Sequence, residues 1–231
     1  MTILCIETST QVCSAAICVD GQSITSRINR VGGNHAKLLP VFIDELLTKL
    51  RQRHATLDAV ALSDGPGSYT GLRIGASTAK GISYGLNIPL IPIRTTEVLC
   101  ATFLQQSQAA DTNQTILCPM IDARRMEVYT ACYNADIQEL TPITAQVIDA
   151  STHLAPHSLY FGDGAAKCQP FLETDEVHLI PEIIPDAACM GALAEKKYHA
   201  QQMVVGKDLA YYEPFYLKQF VAAQSHVKGL Q

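Results

Sequence analysis

The chain has 231 residues, 48% of them apolar and 17% charged, with a formal net charge of -5. That composition excludes a disordered chain, and no apolar run is long and uncharged enough to span a membrane. The acidic balance argues against a protein that holds nucleic acid on its own, which needs a basic surface.

Residues 3–6 and 14–19 read as strands rich in β-branched residues, joined by the hydroxyl-rich bend Glu7-Thr8-Ser9-Thr10-Gln11. Asp20-Gly21 is a tight-turn signal, and residues 23–29 read as a third strand. A helix follows over 34–51, capped by Asn34. Leu38, Leu39, Phe42, Ile43, Leu46 and Leu47 keep helical spacing across Pro40, so the helix is either kinked there or starts there. Arg27, Arg30, Lys37, Lys49, Arg51 and Arg53 fall in the same region and read as a solvated face.

Residues 57–63 read as a buried strand, 68–86 as a helix dotted with small residues, and 89–93 as another strand. A helix over 96–106 takes Thr95 or Thr96 as its cap. After a polar loop at 111–114, residues 116–121 and 127–133 pair around Asp122-Ala123-Arg124-Arg125. Short strands are expected at 147–150, 158–162 and 177–180, then one helix from Pro185-Asp186 to about Lys197. The order is that of a duplicated α/β protein, with subdomains 1–106 and 107–231. The aromatic tail, about 211–225, is expected to return and pack on the body.

The eight cysteines contain no C-x-x-C pair and sit among aliphatic residues, so they read as reduced core residues of a cytoplasmic protein. The N-terminus has Glu7 where a signal peptide needs an apolar core. His153-x-x-x-His157 has metal-ligand spacing, but Pro156 disfavours the helix that would align the two imidazoles.

Gly65-Pro66-Gly67-Ser68-Tyr69-Thr70-Gly71 lies between a strand and a helix, yet it is a poor dinucleotide fingerprint and lacks the lysine of a P-loop. The two hairpins suggest an actin-like nucleotide site instead. Thr8, Ser9 and Thr10 would face phosphate, Glu7 and Asp122 would supply metal-holding carboxylates, and the turn Gly162-Asp163-Gly164 would touch an adenosine. Purely structural hairpins are the competing reading of the same residues.

Three blocks resemble the signatures of the TsaB (YeaZ) family: Ile3-Leu4-Cys5-Ile6-Glu7-Thr8-Ser9-Thr10, Gly65-Pro66-Gly67-Ser68-Tyr69-Thr70-Gly71-Leu72-Arg73-Ile74-Gly75, and Ile121-Asp122-Ala123-Arg124-Arg125-Met126-Glu127-Val128-Tyr129. Glu213-Pro214-Phe215-Tyr216-Leu217-Lys218 resembles the family's closing block. The resemblance implies an α/β protein of two subdomains with the actin/Hsp70-like (ASKHA), ribonuclease H-like fold, mixed sheets flanked by helices. It implies a non-catalytic scaffold for N6-threonylcarbamoylation of adenosine 37 in tRNAs reading ANN codons. The transferase partner would be TsaD and the ATPase partner TsaE, with threonylcarbamoyl-AMP supplied by TsaC-type enzymes.

By the same resemblance, this chain requires no cofactor of its own, ATP/ADP and metal belong mainly to the partner subunits, and tRNA is contacted only within the complex. TsaD's metal-binding histidines correspond to Thr95 and Leu99, which removes the ligands that the old glycoprotease label required. The implied subunit interface is a helix bundle, to which Leu39, Phe42, Ile43, Leu46 and Leu47 and the ridge Gly71, Gly75 and Ala79 would contribute. Packing of these faces on the chain's own sheet is the competing reading. Arg73 and Lys80, two charges on a small-residue helix, are expected to tune the pairing. The same helices would allow a homodimer. The rival reading is an independent ATP-dependent phosphotransferase of the sugar-kinase type.

Overall fold

The computed structural model describes residues 1–107, 116–149, 151–152, 154, 158–172 and 179–218. The expected loop at 111–114, the pair His153 and His157, and the tail beyond 218 lie outside the described residues.

Three antiparallel strands open the chain: β1 (Thr2–Glu7), β2 (Cys13–Val19) and β3 (Gln22–Asn29). The turn between β2 and β3 has positive φ at both Asp20 and Gly21, as a two-residue hairpin requires. Helix α1 (His35–Gln52) runs through Pro40 without stopping. Asn34 stands at its N-cap in the left-handed region, but its side chain makes no cap hydrogen bond. Strand β4 (Ala59–Ser63), helix α2 (Tyr69–Leu86) and strand β5 (Leu90–Ile93) complete a five-stranded sheet in the order β3-β2-β1-β4-β5. β1 lies at its centre and is parallel to β4, and β4 to β5.

A central strand buried on both faces can carry a continuous apolar run, and β1 does from Ile3 to Ile6. Its alternation divides the core in two. Leu4 and Ile6 face a layer made with Leu39, Leu46 and Ala79, whereas Ile3 and Cys5 face Val98, Met190 and Leu193.

Helix α3 (Thr95–Gln106) begins one residue earlier than its sequence suggests. Arg94 holds the N-cap position, and its backbone N–H donates to the Glu97 carboxylate at 2.9 Å. α3 is buried on nearly every side from Thr95 to Phe103 because two cores share it. Val98 and Ala101 pack under the first sheet; Leu99, Cys100 and Phe103 pack with Leu117, Tyr133 and Phe161 of the second.

The second sheet contains β6 (Ile116–Asp122), β7 (Glu127–Tyr133), β8 (Glu139–Val147), β9 (Ser158–Phe161) and β10 (Leu179–Ile180), in the order β10-β9-β6-β7-β8. Read from β8, this repeats the order of the first sheet, so the duplicated ribonuclease H-like fold is present. The strand expected at 147–150 is instead β8, which ends at Val147. It is a sheet edge with Pro142 in it, mostly exposed, and therefore carries little apolar signal. Helix α4 (Asp163–Leu172) connects β9 to β10 and occupies the stretch expected to be a turn.

The single helix expected from Pro185 is broken. A 3-10 turn (Ala187–Cys189) is capped by the Asp186 side chain, which accepts from Ala188 N at 2.9 Å. Helix α5 (Gly191–His199) then starts where Gly191 lies against the backbone of Gly21. Helix α6 (Asp208–Tyr211) leads into an extended strap, residues 212–218. Both helices and the strap correct the expected division at residue 106. Ala187 N donates to Ser14 Oγ of β2 at 3.0 Å, Met190 and Leu193 complete the core under β1, and Leu90 pairs with Val204. Residues 186–218 thus belong with the first sheet.

Candidate functional site

The bend after β1 is closed by the chain itself. Glu7 is fully buried, and one of its oxygens accepts from Ser9 N at 2.5 Å and Ser9 Oγ at 2.6 Å. Its Oε2 makes no well-formed hydrogen bond, and the nearby Ser63 hydroxyl lies 3.0 Å from Thr95 Oγ1. Burial pushes the Glu7 carboxyl up to about 7, against the pull of the Ser63 and Ser9 hydroxyls. Thr8 Oγ1 donates to the carbonyl of Gly71 at 2.8 Å, and Ser68 N donates to the carbonyl of Ser9 at 2.6 Å. Thr10 accepts from Val12 N through its hydroxyl, while its carbonyl lies 3.1 Å from His35 Nε2.

Of the groups expected to face a phosphate, the Ser9 hydroxyl and amide therefore turn to Glu7, the Thr10 hydroxyl turns to Val12, and the Thr8 hydroxyl turns to the first turn of α2. Gly71 and Gly75 make that approach possible. A Cβ at Gly71 would fall on the Thr8 carbonyl, and one at Gly75 on Thr8 Oγ1 and Leu62.

The second bend is closed by an ammonium group. Lys167 of α4 donates to Asp122 Oδ1, to the Arg125 carbonyl at 2.9 Å and to the Glu127 carbonyl at 2.5 Å. Asp163 accepts from Asp122 N at 3.0 Å, and Asp122 accepts from Arg124 N at 2.8 Å. Gly162 and Gly164 lie against the backbone of Met120 and Ile121, where a side chain would collide.

A nucleotide with its metal would need ionised carboxylates and open donors at these bends. The residues present do not fit that group: Asp122 is capped by Lys167, Glu7 is buried, and the Thr8 and Ser9 hydroxyls donate within the chain. Among the described residues no cluster of three His, Cys, Asp or Glu side chains could hold a metal.

The residues expected at a subunit interface divide into three sets. Leu39, Ile43 and Leu46 on α1, and Gly71, Gly75 and Ala79 on α2, are buried in this chain's own core, so they present no contact surface. The small-residue ridge faces inward, towards Thr8 and Leu62. Phe42 and Leu47 are half-buried at the core's margin. Arg73 and Lys80 hold the strap. Arg73 stacks its guanidinium over the Tyr69 ring at 4.3 Å, and a hydrogen bond with Tyr216 raises its already high pKa. Lys80 Nζ donates to the carbonyls of Ala210 at 2.8 Å and Tyr212 at 2.9 Å.

The large apolar side chains that the two helices leave exposed are Val41 on α1 and Tyr84 and Leu86 on α2, whereas Leu38, Phe42, Ile74 and Ile82 are half-buried against the core. Gly81 and Gly85 lie on this outer side with open space above them.

Sequence reasoning missed the anchor of the strap. Asp64, just after β4, is buried, and its Oδ2 accepts from Arg94 at 2.8 Å and from the Tyr212 hydroxyl at 3.4 Å. Its carbonyl accepts from Phe215 N at 2.8 Å, and the Phe215 ring lies 4.0 Å beneath the Arg94 guanidinium. Lys218 then reaches Glu127 of β7. Between strap and α2 runs a cavity of about 400 Å³, lined by Tyr69, Arg73, Lys80, Tyr212 and Tyr216 among others. Lys167 was also missed; its spacing of four from Asp163 would have flagged it had α4 been read as a helix.

The profile of the TsaD family, described as tRNA N6-adenosine threonylcarbamoyltransferase, matches residues 23–224. The tRNA threonylcarbamoyladenosine biosynthesis protein TsaB of Haemophilus influenzae is 35% identical over 130 residues, 56% of this chain and 52% of that protein. TsaB of Escherichia coli is 32% identical over 136 residues, 59% of this chain and 56% of that protein. The chain spans little more than half the length of these relatives. The tRNA N6-adenosine threonylcarbamoyltransferase of Bacillus subtilis is 32% identical over 40% of this chain and 32% of its own length. The solved YeaZ structure from Pseudomonas aeruginosa superposes with a TM-score of 0.77 at 23% identity, over 94% of this chain and 99% of that one, and so shares the fold. With the profile matched over most of its length, the chain belongs to the TsaD family, and its likeness there runs to the TsaB (YeaZ) members.

Proposed function

We propose that this chain is a non-catalytic accessory subunit for N6-threonylcarbamoylation of adenosine 37 in tRNAs that read ANN codons, working in the cytoplasm beside a TsaD-type transferase. The observation that carries this reading is the closure of both bends. Lys167 occupies the second, and the first turn of α2 packs on the first, which supports a fold kept for assembly rather than for phosphate chemistry. The rival phosphotransferase reading needs an open site and a base on a hydroxyl substrate, and neither bend offers them.

The contact with the transferase is assigned to the outer side of α1 and α2, around Val41 and Tyr84, in place of the buried ridge. Tyr84 is 81% exposed and Val41 51%, which is the aromatic and aliphatic surface that anchors protein contacts. The same surface would pair two copies about a two-fold axis in a homodimer, and TsaE would join the heterodimer.

The deciding experiment assays tRNA modification with TsaD, a TsaC-type enzyme, TsaE, ATP, threonine and bicarbonate, with and without this chain. Modification is expected to depend on the chain, and Tyr84→Asp is expected to abolish co-elution with TsaD while leaving the melting temperature unchanged. Equal modification without the chain rejects the reading, and ATP turnover by the isolated chain revives its rival.

A further inference from the structure

Two cysteines meet across the first strand pair of the second sheet. β6 and β7 are antiparallel, with Leu117 opposite Tyr133 and Met120 opposite Thr130, which sets Cys118 directly opposite Cys132. The Cys132 N–H turns the other way and donates to Thr141 Oγ1 of β8 at 2.9 Å. The pair is therefore a non-hydrogen-bonded one, in which opposed Cα atoms lie about 4.5 Å apart. That separation falls within the range a disulfide spans. The two sulfurs are 3.3 Å apart.

Access is unequal. Of the eight cysteines, all free, only Cys132 is not buried. Cys118 lies behind it in the core with Met120, Tyr160 and Cys168. The contact with Cys118, aided by Thr141, holds the Cys132 thiol below its ordinary value. The same contact, with burial, pushes Cys118 up. The outer sulfur is thus the attacking one and the inner sulfur the resolving one.

We propose that Cys118 and Cys132 form a thiol–disulfide exchange site that takes a low-molecular-weight disulfide of the glutathione disulfide class. The Cys132 thiolate attacks one sulfur of that disulfide and forms a mixed disulfide, expelling one glutathione thiolate. Cys118 loses its proton and attacks the Cys132 sulfur, and the second glutathione leaves as thiolate. Two protein thiols are oxidised to one disulfide, one glutathione disulfide is reduced to two glutathiones, and the two thiol protons pass to the departing thiolates. An excess of glutathione reverses both steps.

The first sheet holds an internal control. Cys5 and Cys18 lie 3.7 Å apart, but Cys5 stands opposite Ala16 and Cys18 opposite Ile3, so the two are diagonal rather than opposed. The hydrogen bond between them lowers the Cys18 thiol and, with burial, pushes Cys5 well up. What separates this pair from Cys118 and Cys132 is therefore that both of its thiols are buried and they are not opposed.

The test incubates the reduced full chain with glutathione disulfide, blocks remaining thiols, and maps the products by mass spectrometry. The expected result is the loss of two free thiols and a single peptide crosslink, Cys118 to Cys132. Cys118→Ser should stop at one glutathione on Cys132, and Cys132→Ser should carry neither adduct nor crosslink. Circular dichroism would confirm that both variants fold. A wild-type chain in which Cys118 and Cys132 both remain free, or whose first crosslink joins Cys5 to Cys18, overturns the proposal.

Discussion

Lys80 holds Tyr212: its ammonium, on the outer half of α2, donates to the Tyr212 carbonyl at 2.9 Å and to that of Ala210 at 2.8 Å. Hydrogen bonds from a charged donor contribute about 1.5–3 kcal/mol where they are shielded, and less at a half-exposed site such as this one. Lys80→Ala is therefore expected to cost about 1 kcal/mol in urea unfolding. It should also expose residues 210–218 to limited proteolysis well before the sheets are cut. An unchanged cleavage pattern would show that the strap is held without Lys80.

Glu7 sets a pH dependence. Its folded value, about 7, stands above the ordinary carboxylate value of 4.5. The folded state therefore binds its proton more tightly than the unfolded one, and the stabilisation it gives is complete below about pH 4.5 and lost as pH rises through 7. Asp64, raised by burial to about 6 despite Arg94, acts in the same direction over a lower window. Between pH 4.5 and 8, the wild type should lose roughly 3 kcal/mol more than Glu7→Gln does. Parallel pH profiles for the two proteins would refute this assignment.

The α2 glycines should separate by the side they face. Gly75→Ala forces a methyl group onto Thr8 Oγ1 and Leu62, and overpacking of this kind costs about 1–3 kcal/mol. Gly81→Ala meets nothing within 4 Å and should stabilise the helix by about 0.5–1 kcal/mol. Thermal melting of both variants checks the pair. A neutral Gly75→Ala would return the small-residue ridge to the surface.

Lys167→Met removes the group that joins Asp122 to the carbonyls of Arg125 and Glu127. Because water can reach those acceptors, their loss of the ammonium should cost about 1 kcal/mol. It should not create ATP affinity, because the first bend remains sealed by Ser68 and Gly71. Calorimetric titration with Mg-ATP checks both proteins, and binding by the variant would identify Lys167 as the sole plug.

Much of the fold was legible because its first half states itself locally. β1, β2 and β4 are short runs of mostly apolar residues, and Asp20-Gly21 admits little but a hairpin. β8 was misplaced because an exposed edge strand needs no apolar alternation. α4 was missed because Gly164 and Pro170 argue against a helix that packing nevertheless enforces. The candidate site was read from the wrong side. The spacing of Gly71, Gly75 and Ala79 shows that they share a face of α2, but periodicity does not say which way that face points. The structure turns it towards Thr8. Contacts such as Phe215 to Asp64 leave no local trace, since their partners lie on distant parts of the chain.

The return of residues 186–218 to the first sheet makes that half of the molecule discontinuous in the chain. A ribosome would release β1 through α3 long before Met190 and Leu193 exist to cover Ile3 and Cys5. During synthesis one side of the first sheet must therefore wait, unsealed, while the whole second sheet is made. The nascent chain is then most open to chaperones and proteases at that side, and a ribosome stalled near residue 180 would hold it there.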